Sequence, residues 1–263
     1  MQVKTLHLEA EEAKIIYQET AGLAIITISR PQAKNALTAN MWTQLHTIAL
    51  QVLDNPKNKV LLIRGKGENF TAGSDIKEFN AISLDKAEEA FVHMERTIST
   101  IERLPIPTIG VINGPAMGAG LELALACDIR IGSEKAKMGI PVGKLGITLN
   151  NKFAQRLVQL IGPSATKDFV FTGRMYKAEE AFRAGMLNYV VAEKDLQKYM
   201  IRMGKLVAGM SPDSLLAVKQ SVQECVDSVP KLWEGSTPFV GNDFTEGCAA
   251  FVEKRQPNFT RNN

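Results

Sequence analysis

Cysteine is scarce: Cys127, Cys225 and Cys248 are the whole complement. They lie far apart and form no CxxC pair, so neither a disulfide framework nor a zinc site is indicated. A reducing cytoplasm is the compartment such usage suits. Histidine is equally sparse. His7, His46 and His93 are scattered, and each reads as a surface or core-edge residue rather than a catalytic one. No apolar run approaches the roughly 20 residues of a transmembrane helix, and the opening MQVKTLHLEAEEAK has no apolar core for a signal peptide. The expectation is a soluble, cytoplasmic protein. No run of one charge exists either. A formal charge of +3 spread along the chain suits a small anionic ligand and gives little support to nucleic-acid binding.

Several catalytic motifs are also missing. Gly118-Ala119-Gly120 begins like a dinucleotide fingerprint, but the third small position falls on Leu123, and there is no Walker loop. Ser74 lies in AGSD rather than GxSxG, which rules out a nucleophile elbow. The ten methionines read as core fillers.

What is present is an alternation. LAIITIS (23–29), KVLLIRG (59–65), PTIGVIN (107–113), DIRIGS (128–133) and NYVVA (188–192) are short, rich in β-branched residues and bounded by turn residues, so they read as strands. Helical patterns lie between them near 38–54, 83–104, 118–127, 151–161, 163–171 and 177–184, with Thr38 and Ser83 as N-caps. The alternation predicts an α/β core with parallel pairing. After residue 193 only helices are expected, one of them opened by Ser211-Pro212-Asp213. The division expected is therefore 1–192, an α/β core, and 193–263, a helical region.

One stretch stands out. Within LELALAC (121–127) every position is apolar except Glu122, and a helix apolar on all faces is a buried helix. Gly114, Gly118 and Gly120 precede it, where a backbone can approach a ligand closely. The first N–H groups of a helix lack intrahelical partners and carry partial positive charge. With a second exposed N–H from NFTAGSD (69–75), they can form an oxyanion hole, beside which Glu122 can move a proton. The bland alternative is that Glu122 only pairs with a lysine or arginine, or caps the helix. The pattern leaves both readings open.

The segments RPQAKNAL (30–37), FTAGSDIKEF (70–79), PTIGVINGPAMGAGLELALACDIRI (107–131), AQRLVQLIG (154–162), AFRAGMLNYVV (181–191) and EGCAAFVEKRQPNF (246–259) together resemble the crotonase (enoyl-CoA hydratase/isomerase) family nearly end to end. The resemblance implies a crotonase-type spiral of ββα units with a C-terminal helical trimerisation region, assembling as a trimer or a dimer of trimers. It implies an acyl-CoA or enoyl-CoA thioester substrate, with coenzyme A as part of the substrate, no separate cofactor, no metal and a place in acyl-CoA and fatty-acid metabolism. No membrane or nucleic-acid partner is expected. The family's oxyanion donors map onto the backbone N–H groups of Ser74 and Ala119, its acid/base onto Glu122. Coenzyme A is expected along Lys34, Ser74, Asp75, Ile76, Lys77 and Gly118, and the acyl pocket at Val142 and Asn150. Apolar Trp233, Phe239, Val240 and Phe244 are expected to seek a neighbouring subunit.

The family's hydratases use a second glutamate, which should follow Pro141 in MGIPVGKLGI (138–147). Val142 stands there instead, and the usual glycine-rich stretch is replaced by Leu149-Asn150-Asn151-Lys152-Phe153. A valine transfers no proton. Three readings follow: a lone Glu122 manages hydration or double-bond isomerisation; the enolate hole serves decarboxylation or thioester hydrolysis, with Asn150 or Asn151 orienting substrate; or the chain binds acyl-CoA without turnover. Glu122 is expected to face the pocket unpaired with any basic side chain.

Overall fold

A computed structural model describes residues 14–227 and 243–256. In chain order the elements are β1 Lys14–Thr20, β2 Leu23–Ser29, α1 Ala39–Gln51, β3 Val60–Gly65, α2 Ile76–Phe79, α3 Leu84–Glu102, β4 Thr108–Ile112, β5 Pro115–Met117, α4 Ala119–Leu125, β6 Ile129–Ser133, β7 Lys137–Gly139, α5 Val142–Leu145, α6 Asn151–Thr172, β8 Met175–Lys177, α7 Ala178–Arg183, β9 Tyr189–Val191, α8 Glu193–Ala208, α9 Pro212–Asp227 and α10 Asp243–Glu253.

Six strands form the main sheet in the order β1-β2-β3-β4-β6-β9, while β5-β7-β8 make a smaller one. Only the β1–β2 pair of the main sheet is antiparallel; β2, β3, β4, β6 and β9 run parallel. The apolar runs explain why. Every residue of β2 is buried, and its side chains divide by alternation. Ala24, Ile26 and Ile28 join the large core beneath α1 and α3. Leu23 and Ile25 face the other way, with Val60, Leu62, Ile109, Val111 and Ile131, against Leu196 and Met200 of α8. A sheet apolar on both faces needs a helical cover on each, and α8 supplies the second.

Helix boundaries follow local chemistry. The side chains of Thr38, Ser83 and Asn150 accept from backbone N–H groups of the first turns of α1, α3 and α6. The two patterns expected at 151–161 and 163–171 are the two helical stretches of α6, separated where Gly162 (φ 77°, ψ 165°) leaves the helical conformation before Pro163. No described helix is long and apolar enough to cross a membrane.

The C-terminal helix α10 returns to the core. Phe244 is buried and meets Phe79 and Phe91 edge-on at centroid distances of 6.1 and 6.0 Å, so this aromatic finds its partners within its own chain rather than in a neighbour. Trp233, Phe239 and Val240 lie outside the described residues.

Candidate active site

Two backbone segments meet at the site because neither carries a Cβ at the contact. A Cβ on Gly73 (φ +90°) would lie 2.6 Å from the Met117 carbonyl oxygen, and one on Gly120 would lie 2.6 Å from that of Thr71. The loop 71–75 thus lies against the N-terminus of α4. Asn35, fully buried, organises that loop. Its Oδ1 accepts from Arg30 N, and its Nδ2 donates to the carbonyls of Lys66, Asn69 and Phe70. Leu37 N donates to Gly73 O, and Asp75 N donates to Leu37 O. By strand alternation the intervening Ser74 N–H points away from Leu37. The Ser74 hydroxyl is held separately, accepting from Trp42 Nε1 at 3.1 Å.

Beside this junction opens a cavity of about 470 Å³. Ser74, Gly118, Ala119 and Glu122 line it together, with Lys34 and Ile76 contributed by the preceding segments and Val142 and Asn150 from the region of α5 and α6. The rest of its wall is largely apolar, including Phe91, Met94, Leu149, Phe153 and Phe251. Two of the residues expected at coenzyme A, Asp75 and Lys77, do not line it. Asp75 is engaged by Arg30 at 2.6 Å and caps α2 by accepting from Lys77 N at 3.0 Å; Lys77 is exposed. Among the described residues no group of three or more His, Cys, Asp and Glu side chains could hold a metal ion.

Glu122 is not unpaired, contrary to expectation. Its side chain is 1% exposed, and Arg156 Nη1 donates to its Oε1 at 2.9 Å. The reason is elementary: a carboxyl so buried needs a partner in the interior. Arg156, itself 4% exposed, gathers two further acids. Its Nη2 donates to Glu95 Oε1 and Glu102 Oε2, each at 2.9 Å, and its Nε donates to Glu102 Oε1 at 2.9 Å. Ser99 Oγ donates to Glu95 Oε1 at 2.8 Å, and Asn150 Nδ2 to Glu95 Oε2 at 3.2 Å.

Three carboxyls therefore share one guanidinium. Burial first, then the charge and hydrogen bond of Glu95, push Glu122 well above the usual carboxylate range, against the opposing pull of Arg156 and Asn150. For Glu95, burial works upward, but the Glu122 hydrogen bond and Arg156 prevail and lower it. Burial likewise opposes the charge on Arg156, yet Glu102 and Glu95 hold its guanidinium more firmly protonated than usual.

Sequence reasoning passed over Glu95, Glu102 and Arg156. A usable signal was there: on α3, Glu95, Ser99 and Glu102 recur at helical spacing beside the buried Met94 and Ile98, and on α6 Arg156 stands between Phe153 and Leu157, both buried. Polar groups on an apolar stripe need one another.

Arg156→Leu should cost about 3–5 kcal/mol at neutral pH, because it strands buried carboxyls without their cation. Those carboxyls would then hold folded-state pKa values above their unfolded ones, so the fold would bind more protons than the open chain and gain stability as pH falls. Thermal melts of variant and wild type should converge between about pH 8 and about pH 5; a deficit independent of pH would show that Arg156 acts by packing alone.

Comparison with known proteins gives the family of the chain. The Bacillus subtilis (strain 168) protein YngF, which carries the enoyl-CoA hydratase/isomerase name, is 37% identical over 89% of this chain and 93% of its own. The crotonyl-CoA hydratase of Syntrophomonas wolfei is 33% identical over 93% of this chain and 97% of its own. A crystal structure of an enoyl-CoA hydratase/carnithine racemase from Magnetospirillum magneticum superposes with a TM-score of 0.77, at 27% identity, covering 94% of this chain and 95% of that one. The profile of the family described as enoyl-CoA hydratase/isomerase matches residues 18–262, and the chain belongs to that family.

Proposed function

We propose that this protein is an enzyme acting on an acyl-CoA or enoyl-CoA thioester, in which Glu122 moves a proton to or from a thioester enolate. The observation that carries this reading is that Glu122 lines the same cavity as Ser74 and Ala119. The thioester oxygen would accept hydrogen bonds from the N–H groups of those two residues. Such donors typically contribute about 3–4 kcal/mol each as negative charge develops on the oxygen. Ala119 is the first residue of α4, so its N–H is one of the helix's unpaired donors and its side chain is immaterial to that role. The raised affinity of Glu122 for its proton supports a group that can act as an acid near neutral pH. The apolar wall of the cavity suits the acyl group. Lys34 and Lys137, which also line it, are the cations available to the anionic parts of coenzyme A.

A panel of acyl- and enoyl-CoAs followed by mass spectrometry distinguishes hydration, isomerisation, decarboxylation and hydrolysis by product. Glu122→Gln should preserve folding and thioester binding while lowering the observed turnover about 10²-fold or more. Unchanged turnover per folded molecule would make Glu122 structural. The position of Val142 in the cavity favours weak hydration, since it brings no second acid. Crotonyl-CoA should therefore be hydrated poorly, and Val142→Glu should raise that rate; wild-type hydration as fast as that of a two-glutamate hydratase would overturn this. Silence of the wild type across the whole panel would favour a protein that binds acyl-CoA without converting it.

The same reading includes self-association as a trimer or dimer of trimers. Exposed Leu206 and Met210 at the end of α8, and exposed Val218 and Val222 one turn apart on α9, support it, since exposed apolar surface marks interfaces. Light scattering should return a multiple of 28.8 kDa in the micromolar range, and a monomer mass throughout would refute assembly.

A further inference from the structure

Glu95 does not line the cavity, yet it belongs to the site. Its Oε2 and the Oε1 of Glu122 converge on a single nitrogen, Arg156 Nη1, at 3.2 and 2.9 Å. Two carboxylates that meet at one N–H offer only acceptors to each other, and their repulsion is relieved when one carries a proton. One guanidinium facing three acids leads to the same conclusion by charge, because like charges packed this closely do not all ionise in the interior.

We propose that Glu95 is a positioning residue for the acid/base step: it shares a single proton with Glu122, and so takes from behind the cavity wall a part of the task that an acid at position 142 would perform within it. This rests on Glu122 being the group that meets substrate. At rest the shared proton sits on Glu122, where burial disfavours charge most, and Glu95 keeps the negative charge that Arg156, Ser99 and Asn150 stabilise. Glu122 then gives its proton to the enolate α-carbon; a new C–H bond forms from the enolate electron pair, and both carboxyls are left ionised beside Arg156. In the opposite sense, the shared proton first passes to Glu95. Glu122 can then accept a proton from the α-carbon of a thioester, the C–H electron pair becoming the enolate.

The surroundings of α4 contain few other charges that bear on this pair. Helix α3 contributes Glu95 and Glu102, and α6 contributes Arg156 with the capping Asn150. Strands β4 and β5 bring no charged side chain, while Lys34 and Lys137 stand on the cavity wall.

Infrared-monitored titration tests the pair directly, without relying on turnover. Wild-type protein should show a carboxylic-acid carbonyl band at neutral pH that Glu122→Gln removes. In Glu95→Gln the negative neighbour is gone, so Glu122 should release its proton more readily. The midpoint of that band should then move down by about one pH unit or more, equivalent to tenfold or more in proton affinity. If Glu95→Gln does not fold, Glu95→Asp, which keeps the charge but withdraws it by one methylene, should move the midpoint in the same direction by less. A midpoint unchanged in the folded variant, or a band that survives Glu122→Gln, overturns the proposal.

Deuteration of the α-carbon of butyryl-CoA in heavy water, followed by NMR, gives the functional counterpart. Glu95→Gln should slow exchange tenfold or more while leaving thioester affinity unchanged, and wild-type exchange in that variant counts against the proposal. The predicted midpoint shift in Glu95→Gln, together with no exchange by the wild type, would uphold the proton-sharing pair and reject the enzymatic reading of Glu122.

Discussion

The buried carboxyl of Glu122 sets the terms on which the surrounding helices pack. It sits in the first turn of a helix with buried neighbours on either side, where an isolated charge would cost several kcal/mol. Its compensation comes from Arg156 on α6, which brings its own desolvation cost and draws in Glu95 and Glu102 from α3. Three helices distant in sequence are thus tied at one guanidinium. The same network fixes the Glu122 side chain at the cavity wall and tilts its proton affinity upward. Replacing the network by hydrocarbon would satisfy packing equally well; what it would forfeit is an ionisable group beside the α4 N-terminus.

The main sheet was legible because its parallel strands are buried on both faces and read as unbroken apolar runs bounded by turns. LAIITIS became β2 at its expected limits. Strand β1, KIIYQET, was passed over: it is the sheet's edge, and only Ile15 and Tyr17 are buried, between half-buried Lys14, Ile16 and Gln18. The three-residue strands β5, β7 and β8 are too short to display a period of two, and tertiary contact alone makes them strands. The kink of α6 was visible as Gly162-Pro163.

At the site, the glycines and the lone acid of α4 were visible in the residues themselves, while the placing of Ser74, Ala119 and Val142 along one cavity came through resemblance. The ion network was not read, for a physical reason. Glutamates at helical spacing are ordinarily solvated, and an arginine on an amphipathic helix ordinarily reaches water. Only the fold shows that these particular faces turn towards each other. Asn150 was anticipated as a cavity residue, but its double attachment, accepting from Phe153 N and donating to Glu95, depends on how α6 begins.

The docking of α10 has a consequence for how the site comes into being. Phe251 of this helix stands on the cavity wall with Lys34, and Phe244 closes against Phe79 and Phe91. The cavity is therefore enclosed by segments from nearly opposite parts of the chain, contacts of high sequence separation that form slowly because a long loop must first be closed. During synthesis, the sheet and the Arg156 network can assemble while α10 is still to come. Ligand-binding competence should then arrive as a late event in folding, separate in time from the appearance of the core.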